Sequence, residues 1–88
     1  MNSYNLPISV NICTYNEEKS IENCLNSVKR NNPKEIIVVD GGSTDATVKI
    51  SKSLGAKVFI SQNKGLSSQR QYGIENSNQP FYRYYRCR

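Results

Sequence analysis

Residues 6–13, LPISVNIC, are rich in β-branched side chains and run into the polar stretch TYNEE, which predicts a strand near 7–13 opening into a loop and helix. Ile21, Cys24, Leu25 and Val28 then fall at i, i+3, i+4 and i+7, one apolar stripe of a helix expected over about 17–30. Asn16 is placed to cap that helix, Glu17 and Glu18 suit its positive end, and Lys29 and Arg30 suit its negative end. Asn31-Asn32-Pro33 breaks it. The continuous run Glu35-Ile36-Ile37-Val38-Val39-Asp40 reads as a parallel strand covered on both faces. Gly41-Gly42-Ser43-Thr44-Asp45 predicts a tight turn into a second helix over 44–54, with Ser43 as its cap and Ala46, Ile50 and Leu54 on its buried side. Lys57 to Ile60 makes a third strand, and Leu66 to about 76 a weaker helix interrupted by Gly73. Alternating strands and helices predict an α/β fold with a Rossmann-like three-layer parallel sheet, right-handed crossovers and the spatial order third, second, first.

Length allows one small domain, and a chain of 88 residues buries only about 60–65% of the surface it exposes when unfolded. Eleven Asn and eleven Ser against twenty Leu, Ile, Val and Phe make the expected core thin. No apolar run approaches the roughly 18 residues of a membrane span and no basic-then-apolar leader opens the chain, so a soluble, cytoplasmic protein is the expectation. The net charge of +5 is concentrated in the last eight residues, FYRYYRCR; residues 1–80 carry nine Lys or Arg against seven Asp or Glu, a net +2. A nearly neutral body without an RNA-binding motif argues against a nucleic-acid partner, although a Tyr/Arg tail suits base stacking and phosphate contact. Cys13, Cys24 and Cys87, odd in number and without any His, fit neither a disulfide framework nor a zinc site. They are expected to be reduced thiols, with Cys24 a packing residue.

In an open α/β sheet ligands bind beyond the carboxyl ends of the strands. TYNE, DGGSTD and NKGLSSQR follow those ends here, bringing acids, an aromatic ring, helix N-termini and Arg70 to one crevice. Helix N-termini and a guanidinium favour phosphate, and Tyr15 suits stacking on a planar base. A lone TYNE is weak evidence; strand plus TYNE, strand plus DGGSTD and a later R-x-x-G in one chain are specific together.

Over residues 7–80 these segments resemble family 2 glycosyltransferases, enzymes of the GT-A nucleotide-sugar-binding fold. The resemblance implies transfer of a sugar from a nucleotide-sugar donor, with residues 13–17 flanking the base, Tyr15 stacking on it, Asp40 near base or ribose, and Arg70 facing the diphosphate. The nucleotide-sugar-binding residues it implies are Cys13, Thr14, Tyr15, Glu17, Asp40, Gly41, Gly42 and Arg70. Without the resemblance, Asp40 also reads as a strand-terminal acid capping a turn, Thr14 and Glu17 as a hydroxyl and an acid at the start of a helix, and Lys64 as a solvated surface charge.

The chain departs from the family at Cys13, where Pro is frequent, at Gly41, where a second acid often accepts a base N–H, and at Gln71, where Asn is more frequent. The family's divalent metal, Mg²⁺ or Mn²⁺, is held by an Asp-x-Asp that residues 1–88 lack, and no catalytic residue or metal ligand is assigned. Residues 1–80 are therefore expected to be a partial nucleotide-sugar-binding domain, inactive alone, and 81–88 an aberrant basic tail. Shifting the codons of Phe81 to Arg88 by one base permits Phe-Ile-Val-Ile-Ile-Asp-Ala followed by Asp or Glu, the missing strand and motif, which predicts a frameshift at or near Pro80. In the present frame, Arg83 and Arg86 would be costly in a strand covered on both faces, so the tail is expected to fray or lie exposed. The alternatives are a non-catalytic α/β nucleotide-binding module, against which the first strand lacks a Gly-rich fingerprint, and a decayed fragment without function of its own.

Overall fold

The computed structural model describes residues 6–61, 66–79 and 81–85. Four parallel strands, β1 (Leu6–Thr14), β2 (Pro33–Asp40), β3 (Lys57–Ile60) and β4 (Phe81–Tyr85), form one sheet in the order β3-β2-β1-β4. The helices α1 (Ile21–Lys29), α2 (Thr47–Ser53) and α3 (Leu66–Glu75) connect them. The expected order of the first three strands holds, and their register aligns Thr14 with Asp40 and Asp40 with Ile60, so three strands end side by side.

Side chains alternate across a strand, and the two sides of this sheet differ in chemistry. Val10 and Ile12 of β1 and Val38 of β2 join Ile21, Cys24, Leu25 and Val28 of α1 in the buried cluster, with Ile50 and Leu54 of α2 packed against it. Each fully buried aliphatic side chain there contributes about 1.5–3 kcal/mol. On the other face lie Ser9, Asn11, Ile37, Val39 and Phe59, covered by α3: Gly73 sits so close to β1 that an added Cβ would meet Asn11 Cγ at 3.2 Å, and the Tyr72 ring tilts against Phe59 with centroids 5.8 Å apart.

Several local expectations are corrected. Helix α1 begins at Ile21 rather than near 17, and Asn16 does not cap it but takes a left-handed conformation, φ 51°, facing the turn after β2. Helix α2 begins at Thr47, and its fully buried residues are Thr47 and Ser51, with Ile50 and Leu54 only half-buried. Cys24 is disulfide-bonded, not a reduced thiol, whereas Cys13 is free. Residues 81–85 do not fray. They pair with Ile8–Ile12 as β4, because this strand is the sheet edge and Arg83, opposite Val10, stays exposed with its charge in water.

At the opposite end of the sheet from the crevice, Glu35 ties three segments together. Its Oε1 accepts hydrogen bonds from the Asn78 N–H (2.8 Å) and the Ser77 hydroxyl (3.3 Å), and its Oε2 from Lys57 Nζ (2.9 Å). Burial works to raise its pKa, but the bonds from Asn78, Lys57 and Ser9 outweigh burial and hold the carboxyl below its usual range. A carboxylate whose folded pKa is depressed stabilises the fold above its unfolded value, and that contribution is lost as pH falls through the folded value. Glu35→Gln is expected to cost about 1–2 kcal/mol at neutral pH and to flatten the acid limb of a stability-against-pH curve measured by urea unfolding. An unchanged acid limb would contradict this role.

Candidate functional site

The crevice is built on one buried carboxylate. Asp40 ends β2 fully buried, beside Thr14 at the end of β1. Its Oδ1 accepts hydrogen bonds from the Thr14 hydroxyl (2.7 Å) and the Ser43 hydroxyl (2.6 Å), its Oδ2 from the Gly42 N–H (2.9 Å) and the Ser43 N–H (2.6 Å). Gly42 has φ +96°, which an L side chain rarely adopts, and this turn aims two successive N–H groups at one oxygen. The Gly41 N–H closes the unit on the Thr14 carbonyl at 2.9 Å.

A second set of bonds clasps the loop after β1 to the loop after β2. The Asn16 N–H donates to the Ser43 hydroxyl (2.8 Å) while Asn16 Oδ1 accepts from the Thr44 N–H (2.8 Å). The Glu17 N–H donates to Thr47 Oγ1 (2.8 Å), the Glu18 N–H to Asp45 Oδ2 (3.2 Å), and the Ala46 N–H returns to Glu18 Oε1 (3.0 Å). Asp45 also accepts from the N–H and hydroxyl of Thr47, the first residue of α2. Desolvation would raise the Asp45 pKa, yet these bonds hold the carboxyl below its usual range. Both loops are thereby tied to each other by their own side chains and N–H groups.

Helix α3 supplies the third wall. Gln69, buried on its sheet side, donates from Nε2 to the Val39 carbonyl (3.0 Å) and, at 3.5 Å, to the Thr14 carbonyl. Arg70 follows, exposed, and its positive charge opposes the rise that burial imposes on the Cys13 thiol pKa. Tyr15, 44% exposed, stands beyond Thr14 at the rim.

Of the residues singled out in the sequence, Thr14, Asp40, Gly41 and Gly42 form one bonded unit, Cys13 and Arg70 are electrostatic neighbours, and Tyr15 marks the rim. Glu17 is half-buried in the clasp. Lys64 lies outside the described residues. Ser43 and Asn16 were legible only as local caps, and their work across the crevice was not; Gln69 carried no signal in the sequence. Among the described residues no three His, Cys, Asp or Glu converge to hold a metal ion, and both oxygens of Asp40 are engaged by protein donors. The described residues do not fit a divalent-metal centre. No helix among the described residues is long and apolar enough to cross a membrane.

The parallel sheet, in the order β3-β2-β1-β4 and with its first two strands ending in a clasped turn, is shared with the N-terminal portion of GT-A glycosyltransferases of known structure. The structure matches glucosyl-3-phosphoglycerate synthase from Mycobacterium tuberculosis, in complex with Mn²⁺, uridine diphosphate and glucosyl-3-phosphoglycerate, with a TM-score of 0.81 and 24% identity, over 90% of this chain and 32% of that one. The complex of that synthase with uridine diphosphate gives a TM-score of 0.76 and 26% identity, over 85% of this chain and 31% of that one. An uncharacterised glycosyltransferase of Rickettsia typhi is 49% identical over 65 residues, which are 74% of this chain and 22% of the relative's length. Residues 9–84 match Glycosyl transferase family 2, and the chain belongs to that family.

Proposed function

We propose that the chain is the nucleotide-binding portion of a family 2 glycosyltransferase and that its crevice takes the nucleoside diphosphate of a nucleotide-sugar donor. What supports this most directly is the Asp40-centred unit at the carboxyl edge of a parallel sheet, with Arg70 near enough to Cys13, next to Thr14 on β1, to act on its thiol. Two kinds of task follow from exposure. Tyr15 and Arg70 reach solvent and meet the ligand, the ring stacking on the base and the guanidinium pairing with the diphosphate. Asp40, fully buried with four protein donors, holds the backbone of Gly41, Gly42 and Ser43 in place rather than touching the base. Thr14 shares that task, and Cys13 and Glu17 line the floor and the clasp.

In the intact enzyme the bound donor would pass its sugar to an acceptor. The solved synthase complex holds Mn²⁺ with uridine diphosphate, and a divalent metal belongs to this proposal for the whole enzyme, where it would neutralise the diphosphate. For this chain the proposed activity is binding. The shifted frame proposed for residues 81–88 is tested on the gene itself, where an intact glycosyltransferase frame one base away after codon 80 supports it and an in-frame continuation overturns it.

Calorimetric titration of the chain with uridine diphosphate and with uridine tests the binding site. Arg70→Ala is expected to weaken diphosphate binding roughly 10- to 100-fold, the loss of a charge-assisted contact, while uridine binding moves by less than about twofold. Equal losses for both ligands, or no diphosphate binding by the unaltered chain, would overturn the assignment.

A further inference from the structure

We infer that Gln69 is a positioning residue that fixes where Arg70 presents its guanidinium, and through it the preference for a diphosphate over an unphosphorylated nucleoside. This rests on the diphosphate reading of the crevice.

Among the described residues, helix α3 meets the sheet through Gln69, Tyr72 and Gly73. Gln69 and Gly73, four residues apart, share the stripe that faces the sheet, so among the described residues that stripe is an amide and a glycine instead of an apolar ridge. Gly73 allows close approach to Asn11 but sets no direction, and Asn11 Nδ2, also buried, has no hydrogen-bond partner among the described residues. Apolar contact between Tyr72 and Phe59 resists separation yet tolerates sliding. The Gln69 amide differs in having direction: Nε2 aims at the Val39 carbonyl at 3.0 Å, with the Thr14 carbonyl at 3.5 Å on its other side. Those carbonyls sit at the ends of β2 and β1, and the Thr14 carbonyl also receives the Gly41 N–H. One amide therefore registers the first half of α3 against the atoms that frame the Asp40 turn. Arg70 is the next residue, so a shift of the helix at Gln69 also moves the backbone from which the exposed Arg70 side chain extends. Its position in turn reaches the Cys13 thiol, whose pKa it pulls against the effect of burial.

The test compares the ratio of uridine to uridine diphosphate dissociation constants in the 88-residue chain and in Gln69→Leu, Gln69→Met, Arg70→Ala and the double variant Gln69→Leu/Arg70→Ala. Leucine and methionine keep much of the volume and remove the donor, and either serves if the other does not fold. The expected result is that the Gln69 variants lose about tenfold of the diphosphate preference, and that adding Gln69→Leu to Arg70→Ala costs no further preference, since both act through one contact. A purely structural role would lower the unfolding temperature and weaken both ligands in proportion. That outcome, or an intact preference in the Gln69 variants while Arg70→Ala loses it, overturns the inference and leaves the crevice reading in place. If Arg70→Ala itself leaves the preference unchanged, the crevice reading fails and the inference fails with it.

Discussion

Asp40→Ala is expected to remove about 3–5 kcal/mol of folding free energy, most of what a domain of this size has. Four donors converge on that fully buried carboxylate, and alanine leaves two backbone N–H groups and two hydroxyls without their acceptor. The chemistry of those donors predicts a milder effect for asparagine. The Gly42 and Ser43 N–H groups can only donate, but the Thr14 and Ser43 hydroxyls can rotate and accept. The new amide therefore places its oxygen where Oδ2 lies and its NH₂ toward the hydroxyls, so Asp40→Asn should cost only about 1–2 kcal/mol. Urea unfolding of both variants checks the pair of values. Equal midpoints for wild type and Asp40→Ala would mean that the carboxylate does not organise the turn.

Ile12→Ala is expected to cost about 2–5 kcal/mol, through lost burial and the cavity left behind. Ile12 is fully buried near the end of β1, the strand paired on both sides, and it packs in the cluster with Ile21, Leu25, Val28 and Val38. Since the core is thin, few neighbours can collapse into the gap. The unfolding temperature should fall by about 8 °C or more, at roughly 4–8 °C per kcal/mol for a domain of this size. Ile60→Ala is the control: that side chain is 49% exposed on edge strand β3, and its loss should stay within about 0.5 kcal/mol. A similar shift for both would contradict the placement of the core.

The elements legible in the sequence are those whose cause is local and periodic. The stripe Ile21, Cys24, Leu25, Val28 is buried as its spacing requires, and strand Lys57–Ile60 has the expected bounds. The strand ends were legible too, because Asp40 and the Gly-rich turn close an apolar run. Illegible were the groups whose partners lie far along the chain. Asn16 looks like a helix cap from its neighbours alone, yet its bonds go to Ser43 and Thr44, 27 and 28 residues away. Ser43 looks like the cap of α2, but a buried carboxylate and a loop N–H compete for it and win. Gln69 is one polar residue in a polar helix, and only the fold shows that two strand-end carbonyls await it. The tail misled for a related reason: Arg83, which would be costly in a covered strand, costs little at an open edge, where it stays exposed; Arg86 lies outside the described residues.

The clasp also bears on binding. Loops already fixed by Asn16, Glu18, Asp45 and Thr47 need little ordering when a ligand arrives, which leaves more of the contact energy available as affinity. The claim that this edge of the sheet is a nucleoside-diphosphate site is tested most directly by residue-resolved amide NMR of the chain during titration with uridine diphosphate. The account predicts saturable shifts confined to residues 13–17, 41–45 and the neighbourhood of Arg70, with the Glu35, Lys57 and Asn78 amides at the opposite end unmoved. No saturable shift, or shifts centred on that opposite end, would contradict it.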